Sequence, residues 1–319
     1  MSGASPFPAA CGAGEGTAFV GAEVEPSIAV NPRDEGNLVA VWQQDRWSNG
    51  AARGLLSAAS FDGGATWTAA APAFSQCTGG HEGNGGDFLR ATDPWVAFGP
   101  DGIAYQSALV LSGGSFTAGS SNAMRVSRSA DGGRTWSTPT TLILDGGEFF
   151  NDKETVTADP TEARFAYVVW DRLQRGGHGP TWLARTTDGG LTWEPARMIH
   201  DPGAGAQTVG NLVRVLPGGT LVNVFMELRP ANGNTAGAVR ILRSGDRGLT
   251  WSAPITVSNA QPLGARDPTT GLAIRDGSIL PQMAVGPDGA LHVVWQDGRF
   301  TGGRDGIAYA RSTDGGLTW

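Results

Sequence analysis

Apolar residues in this chain fall in short runs separated by turn residues, and none approaches the roughly 18 consecutive apolar positions a membrane-spanning helix needs. One kind of run precedes a turn containing proline: 27–30 before Asn31-Pro32, and 95–98 before Pro100-Asp101-Gly102. A second kind follows the turn, at 38–42, 165–170, 221–225 and 291–295. A third kind, at 124–128, 239–243 and 307–311, alternates and is rich in β-formers, as half-buried strands should be. A fourth short run follows, such as 140–144. The unit predicted is a four-stranded antiparallel meander.

The units are punctuated by an eight-residue box, Ser/Thr-x-Asp-x-Gly-x-Thr-Trp, at 60–67, 129–136, 186–193, 244–251 and 312–319. Its aspartates are Asp62, Asp131, Asp188, Asp246 and Asp314, spaced by 69, 57, 58 and 68 residues. A period of that size means one supersecondary unit per repeat. The expected architecture is therefore all-β: a β-propeller with five blades, near 22–78, 90–145, 152–200, 208–258 and 279–319, in one domain. The box reads as structural. Its Asp accepts backbone N–H groups, its Gly positions allow positive φ, and Trp67, Trp136, Trp193, Trp251 and Trp319 would plug the gaps between blades. In a meander the box shares its end of the blade with the first turn, so function is sought at the other end.

That other end gathers acids and arginines. The segments after the second runs carry Asp45-Arg46-Trp47, Asp171-Arg172, Glu227-Leu228-Arg229 and Asp297-Gly298-Arg299, and the second unit breaks the series with Tyr105-Gln106-Ser107. The starts of the units add Glu25, Arg90, Asp93, and Asp152-Lys153-Glu154. A ring of guanidiniums (Arg46, Arg90, Arg172, Arg229, Arg299) would suit a carboxylate ligand, because arginine offers a flat two-pronged donor. The bland alternative is pairing of each arginine with its neighbouring acid, worth about 0–1 kcal/mol when exposed. Trp47 and Trp182 are candidates either for sugar-stacking platforms or for loop packing.

Composition narrows the classes. Lys and Arg total 23 against 30 Asp and Glu, a net charge of −7, which argues against nucleic acid and anionic membrane surfaces as partners. Twenty-two of the bases are arginine, and Lys153 is the sole lysine, after Asp152, so a phosphate loop ending in Gly-Lys is excluded. His81, His178, His200 and His292 form no metal-ligand spacing, and no Gly-x-Ser-x-Gly elbow exists, so neither metal nor cofactor is expected. Cys11 and Cys77 are 66 residues apart: a disulfide if the protein is secreted, otherwise two free thiols. The start, Met1-Ser2-Gly3, has no charged or apolar leader, which fits a cytoplasmic protein or one whose signal lies outside this chain.

The box resembles the Asp-box, or bacterial neuraminidase repeat, and its spacing resembles the sialidase superfamily over nearly the whole chain. The runs 25–30, 151–154 and 293–297 are similar to bacterial proteins of the exo-α-sialidase type. The resemblance implies a secreted or periplasmic monomer that cleaves terminal sialic acid, or a related acidic sugar, from extracellular glycans; Asp-box propellers that only bind glycans or proteins are the alternative. It also implies six or more blades, one or more of them lying beyond Trp319. Asp297-Gly298-Arg299 followed by Asp305 resembles the segment with one carboxylate-binding arginine and the acid/base aspartate, so Asp305 is the implied proton donor. The arginine that opens a blade before Ile-Pro in sialidases is absent: Glu25 and Leu280 stand before Pro26 and Pro281. No Tyr/Glu nucleophile pair is placed, and Glu154 and Glu227 remain as carboxylates without an assigned partner. An acid and a nucleophile on opposite sides of the bond are what hydrolysis requires.

Overall fold

The computed structural model describes residues 4–8, 11, 12, 14–231 and 234–319. It divides into two compact units, Met1–Arg175 with Leu183–Arg197, and Gly176–Trp182 with Met198–Trp319. The first sheet holds β1 (Ala18–Asn31), β2 (Asp34–Trp47), β3 (Ala52–Ser60) and the short β4 (Thr68–Ala70). The second holds β5 (Arg90–Phe98), β6 (Ala104–Ser112), β7 (Ser121–Ser129) and β8 (Thr140–Gly146). A single pair, Ala52 with Ala91, links these two sheets. The third contains β9 (Phe149–Ala158), β10 (Ala166–Gln174), β11 (Thr181–Thr186) and β12 (Arg197–His200). The fourth contains β13 (Gln207–Val215), β14 (Leu221–Ala231), β15 (Asn234–Ser244) and β16 (Ile255–Ala260). A two-stranded hairpin follows, β17 (Ala265–Arg266) with β18 (Ala273–Ile274). The last sheet has three strands, β19 (Gln282–Val285), β20 (Leu291–Asp297) and β21 (Gly306–Ser312). The antiparallel four-stranded sheets expected from the periodicity are thus present. Among the described residues no helix is long and apolar enough to cross a membrane.

Each box closes on itself. In the first, Ser60 Oγ donates to Asp62 Oδ1 at 2.8 Å, and Asp62 accepts from Thr66 N at 2.8 Å and Thr66 Oγ1 at 2.6 Å. The same pattern repeats at Asp131, Asp188, Asp246 and Asp314. The Thr66 hydroxyl and N–H, with Ser60, bring Asp62 down to about 2. The box also explains a glycine. At Gly133, Gly190 and Gly316 a Cβ would run into Val39, Tyr105 and Ile241 of the preceding sheet. Trp136 joins the second sheet to the first: its indole N–H donates to Ser57 Oγ at 3.0 Å, and its ring packs on buried Val39, Val41 and Val96. Trp193 meets Tyr105 edge-on, with centroids 6.4 Å apart. Trp67 is 42% exposed and bonds its own box at Gly64 O, while Trp251 bonds Gly248 O. Trp319 has no hydrogen-bond partner for its indole nitrogen.

Cys11 and Cys77 form a disulfide, Cα to Cα 5.2 Å. It ties the N-terminal segment to the stretch after β4.

Candidate functional site

The first strand of each of the first four sheets carries a bulge at the same place. Glu25 and Pro26 oppose Trp42; Asp93 and Pro94 oppose Ala108; Lys153 and Glu154 oppose Trp170; Gly210 and Asn211 oppose Phe225. The first bulge residue has positive φ every time: 52° at Glu25, Asp93 and Lys153, and 68° at Gly210. Glycine takes that conformation freely, whereas the three polar side chains hold it at a cost of about 1–3 kcal/mol each. A bulge re-aims side chains. Because β1, β5 and β9 lie side by side, it aims theirs at one another.

The result is a cluster of carboxyls about one lysine. Lys153 Nζ lies 3.2 Å from Asp93 Oδ1 and 3.8 Å from Glu25 Oε1. Thr92 Oγ1 donates to Asp93 at 2.9 Å, and Gln43 donates to Glu25. Asp152 and Asp171 are register partners across β9 and β10. Glu154 and Asp171 are 2% and 1% exposed, and none of their four carboxyl oxygens has a hydrogen-bond partner. Glu25 and Lys153, with side chains 31% and 19% exposed, form the edge open to solvent.

These groups titrate in opposite directions. Burial opposes ionisation of Asp93, but Lys153, Glu25 and Thr92 hold it below the ordinary carboxylate range. Burial, reinforced by the charge of Asp93, pushes Asp152 up to about 7. Burial and Asp93 push Glu154 well above the ordinary range, and burial and Asp152 do the same to Asp171. Against its own burial, Lys153 is raised by Asp93, Glu25 and Asp152. Neighbouring carboxyls held in different protonation states are what proton transfer at neutral pH requires.

The arginines are occupied locally. Arg46 donates to Ala51 O at 2.8 Å. Arg90 is buried on Asn49, Gly50 O and Glu15 O, with its guanidinium 4.6 Å from the centre of the Trp47 ring. Arg172 grips Asp145 with two bonds, 2.6 and 2.8 Å, instead of its neighbour Asp171. Asp45 is fully buried and takes Ser5 Oγ at 2.6 Å, Gly21 N at 2.9 Å and Arg53 at 3.5 Å, so it anchors the N-terminal segment. The acid-arginine signatures also sit at the ends of second strands, inside β2, β10 and β14, with only Arg299 beyond β20.

In the other unit Glu227 is buried between Arg229 at 2.6 Å, Arg240 at 3.1 Å and His200 at 3.3 Å. Burial notwithstanding, His200, Arg229 and Arg240 bring it down to about 2, so it is a paired anion and no proton donor at neutral pH. Asp297 is clasped by Arg299 at 2.8 Å through both oxygens and by Trp295. Asp305 accepts from Leu263 N, Gly264 N and Gln296 Nε2, all within 2.7–2.8 Å. It fixes the segment ahead of β17.

Of the sequence candidates, then, Asp93, Asp152, Lys153, Glu154 and Asp171 converge in one unit. Glu227, Arg229, Asp297, Arg299 and Asp305 belong to the other. The convergence had one visible signal, a polar residue at the same offset in each first run: Glu25, Asp93, Lys153. Among the described residues no three His, Cys, Asp or Glu side chains are arranged to hold a metal ion.

No protein-family profile and no curated protein matches the chain. Solved structures do. It is similar to a Penicillium chrysogenum α-L-arabinanase complexed with arabinobiose, TM-score 0.60 at 15% identity, over 93% of this chain and 80% of that one. It is similar to a Hadza microbial sialidase, TM-score 0.55 at 20% identity, over 93% of this chain and 57% of that one. Trypanosoma rangeli sialidase in complex with sialic acid gives TM-score 0.57 at 18% identity, over 97% of this chain and 49% of that one. The chain therefore shares the all-β fold of the sialidase and arabinanase propellers, built from antiparallel four-stranded sheets.

Proposed function

We propose that this protein is a glycoside hydrolase on a propeller frame, with its catalytic centre in the carboxyl cluster about Lys153. One observation carries the reading. Asp93, Asp152, Glu154 and Asp171 come together from adjacent strands, with two of them buried and lacking hydrogen-bond partners. Asp152 is the proton donor: it keeps its proton near pH 7 and sits beside ionised Asp93. Asp93, held ionised by Lys153, supplies the negative charge that an oxocarbenium-like transition state requires. Glu154 and Asp171, buried and pushed well above the ordinary carboxylate range by that burial, line the floor of the site.

The substrate is a neutral glycoside. Sugar hydroxyls donate readily to carboxylates, whereas the carboxylate of an acidic sugar would meet Asp93 and Glu25 with one lysine between them. The arginines such a sugar would need are bound to Asp145, Glu227, Asp297 and backbone carbonyls. The deep burial of Glu154 and Asp171 favours a second reading, a propeller that binds glycans without cleaving them.

The test is turnover of a panel of 4-nitrophenyl glycosides, neutral pentosides and hexosides beside a sialoside, by the wild type and by Asp152→Asn. The expected result is hydrolysis of a neutral member, reduced at least about 100-fold in Asp152→Asn. Hydrolysis of the sialoside alone would restore the acidic-sugar reading. Glycan binding with no turnover would establish the non-catalytic one.

A further inference from the structure

A groove of about 870 Å³ lies beside the cluster, within the range of sites that take small ligands. It is framed by the loop between β6 and β7, the junction of β8 with β9, and the end of β10. Phe116 and Phe149 supply its aromatic surface, and Asp145, Glu148, Gln174 and Arg175 its polar one.

Three features mark it as built. Phe116 is held at φ 57°, a conformation a bulky side chain adopts only under strain, and such strain collects at ligand sites. Its ring is supported by Phe150, centroids 6.2 Å apart, and its carbonyl accepts from Arg175. Asp145 is immobilised by Arg172 and by Asn151 Nδ2 at 2.9 Å. Those two residues adjoin Asp171 and Asp152 on a continuous ladder, which runs Asp171 with Asp152, Arg172 with Asn151, Leu173 with Phe150, and Gln174 with Phe149. The groove thus begins about three residues, or ~10 Å, from the proposed proton donor.

The geometry points to this groove as the subsite for the leaving-group sugars of a neutral oligosaccharide, an inference that rests on the hydrolase reading above. Sugar C–H faces lie against Phe116 and Phe149, and hydroxyls meet Glu148, Gln174 and Asp145. Arg172 is taken up by Asp145, and Glu148 stands in the lining against Arg175, so the groove offers no net positive charge to an acidic sugar.

The experiment measures binding of neutral tetrasaccharides and 3′-sialyllactose, by glycan array and then calorimetry, to wild type, Phe116→Gly and Phe116→Tyr. Glycine adopts φ 57° without strain, so Phe116→Gly keeps the fold, and an unchanged melting temperature verifies it. The expected result is at least about tenfold weaker binding of the best neutral tetrasaccharide by Phe116→Gly, restored to within about threefold by Phe116→Tyr. Equal binding by Phe116→Gly and wild type, or no neutral tetrasaccharide bound, overturns the subsite. Nitrophenyl glycoside turnover separates the two claims, since it needs Asp152 and not the groove. If Asp152→Asn loses turnover while Phe116→Gly binds normally, the subsite alone is wrong. If Phe116→Gly loses binding while the wild type turns over nothing, the groove is a glycan site and the hydrolytic reading falls.

Discussion

Replacing Lys153 by Met removes the cation that faces Asp93 and Glu25 and keeps an unbranched stem one atom shorter. The lysine faces Asp93 at 3.2 Å and Glu25 at 3.8 Å. At an effective dielectric of about 20 these pairs are worth ~5 and ~4 kcal/mol before desolvation is counted. Desolvation cancels much of that, and loss of one partner from a buried pair leaves a net cost of about 3–5 kcal/mol. For a unit of this size that is roughly 10 °C in Tm. The assay is thermal unfolding by circular dichroism, disulfide intact, at pH 7.5 and 4.5. With the lysine gone Asp93 takes a proton as the pH falls, so at pH 4.5 the loss should be less than half that at pH 7.5. Lys153→Arg should recover most of the stability. A loss under about 2 °C at pH 7.5, or equal losses at both values, would show that the lysine is not what holds the carboxyls together.

Other outcomes follow from the same geometry. The Asp152 carboxyl is raised in the folded state, from 3.8 to about 7, so its contribution to stability is full below pH 4 and is lost as the pH climbs through 7. Asp152→Asn should flatten that decline in a urea midpoint series from pH 4 to 8. Trp136→Ala should cost about 3–5 kcal/mol in chemical denaturation, because the indole is wedged between sheets, whereas exposed Trp67→Ala should cost less than half as much. Reducing Cys11–Cys77, or replacing both by Ser, should cost about 4 kcal/mol on the chain-entropy account of a loop that length. A Tm unchanged by reductant would count against it.

The frame was legible because it repeats. A box that folds on its own side chains leaves the same imprint each time, and its glycines recur because the preceding sheet allows no Cβ at Gly133, Gly190 or Gly316. The site was half legible. Acids and arginines adjacent in sequence suggest partners, and that held for Glu227 with Arg229 and for Asp297 with Arg299. It failed for Asp171 with Arg172, since neighbours on a strand point to opposite faces: Arg172 reaches Asp145, and Asp171 is left among acids. The bulges were hidden because Glu25, Asp93 and Lys153 give no sign of positive φ, unlike Gly210. The family resemblance implied a proton donor at Asp305; in the fold its oxygens accept from Leu263, Gly264 and Gln296, contacts that only the folded chain reveals.

The most direct measurement is the dependence of kcat/KM on leaving-group acidity, comparing wild type and Asp152→Asn on aryl glycosides that run from dinitrophenyl to unsubstituted phenyl. A lost proton donor is felt most where the departing oxygen most needs a proton. Asp152→Asn should therefore be slowed at least about 100-fold on the phenyl glycoside and only a few-fold on the dinitrophenyl one. A uniform effect across the series, or none, would contradict the assignment of this cluster as a proton-delivering centre.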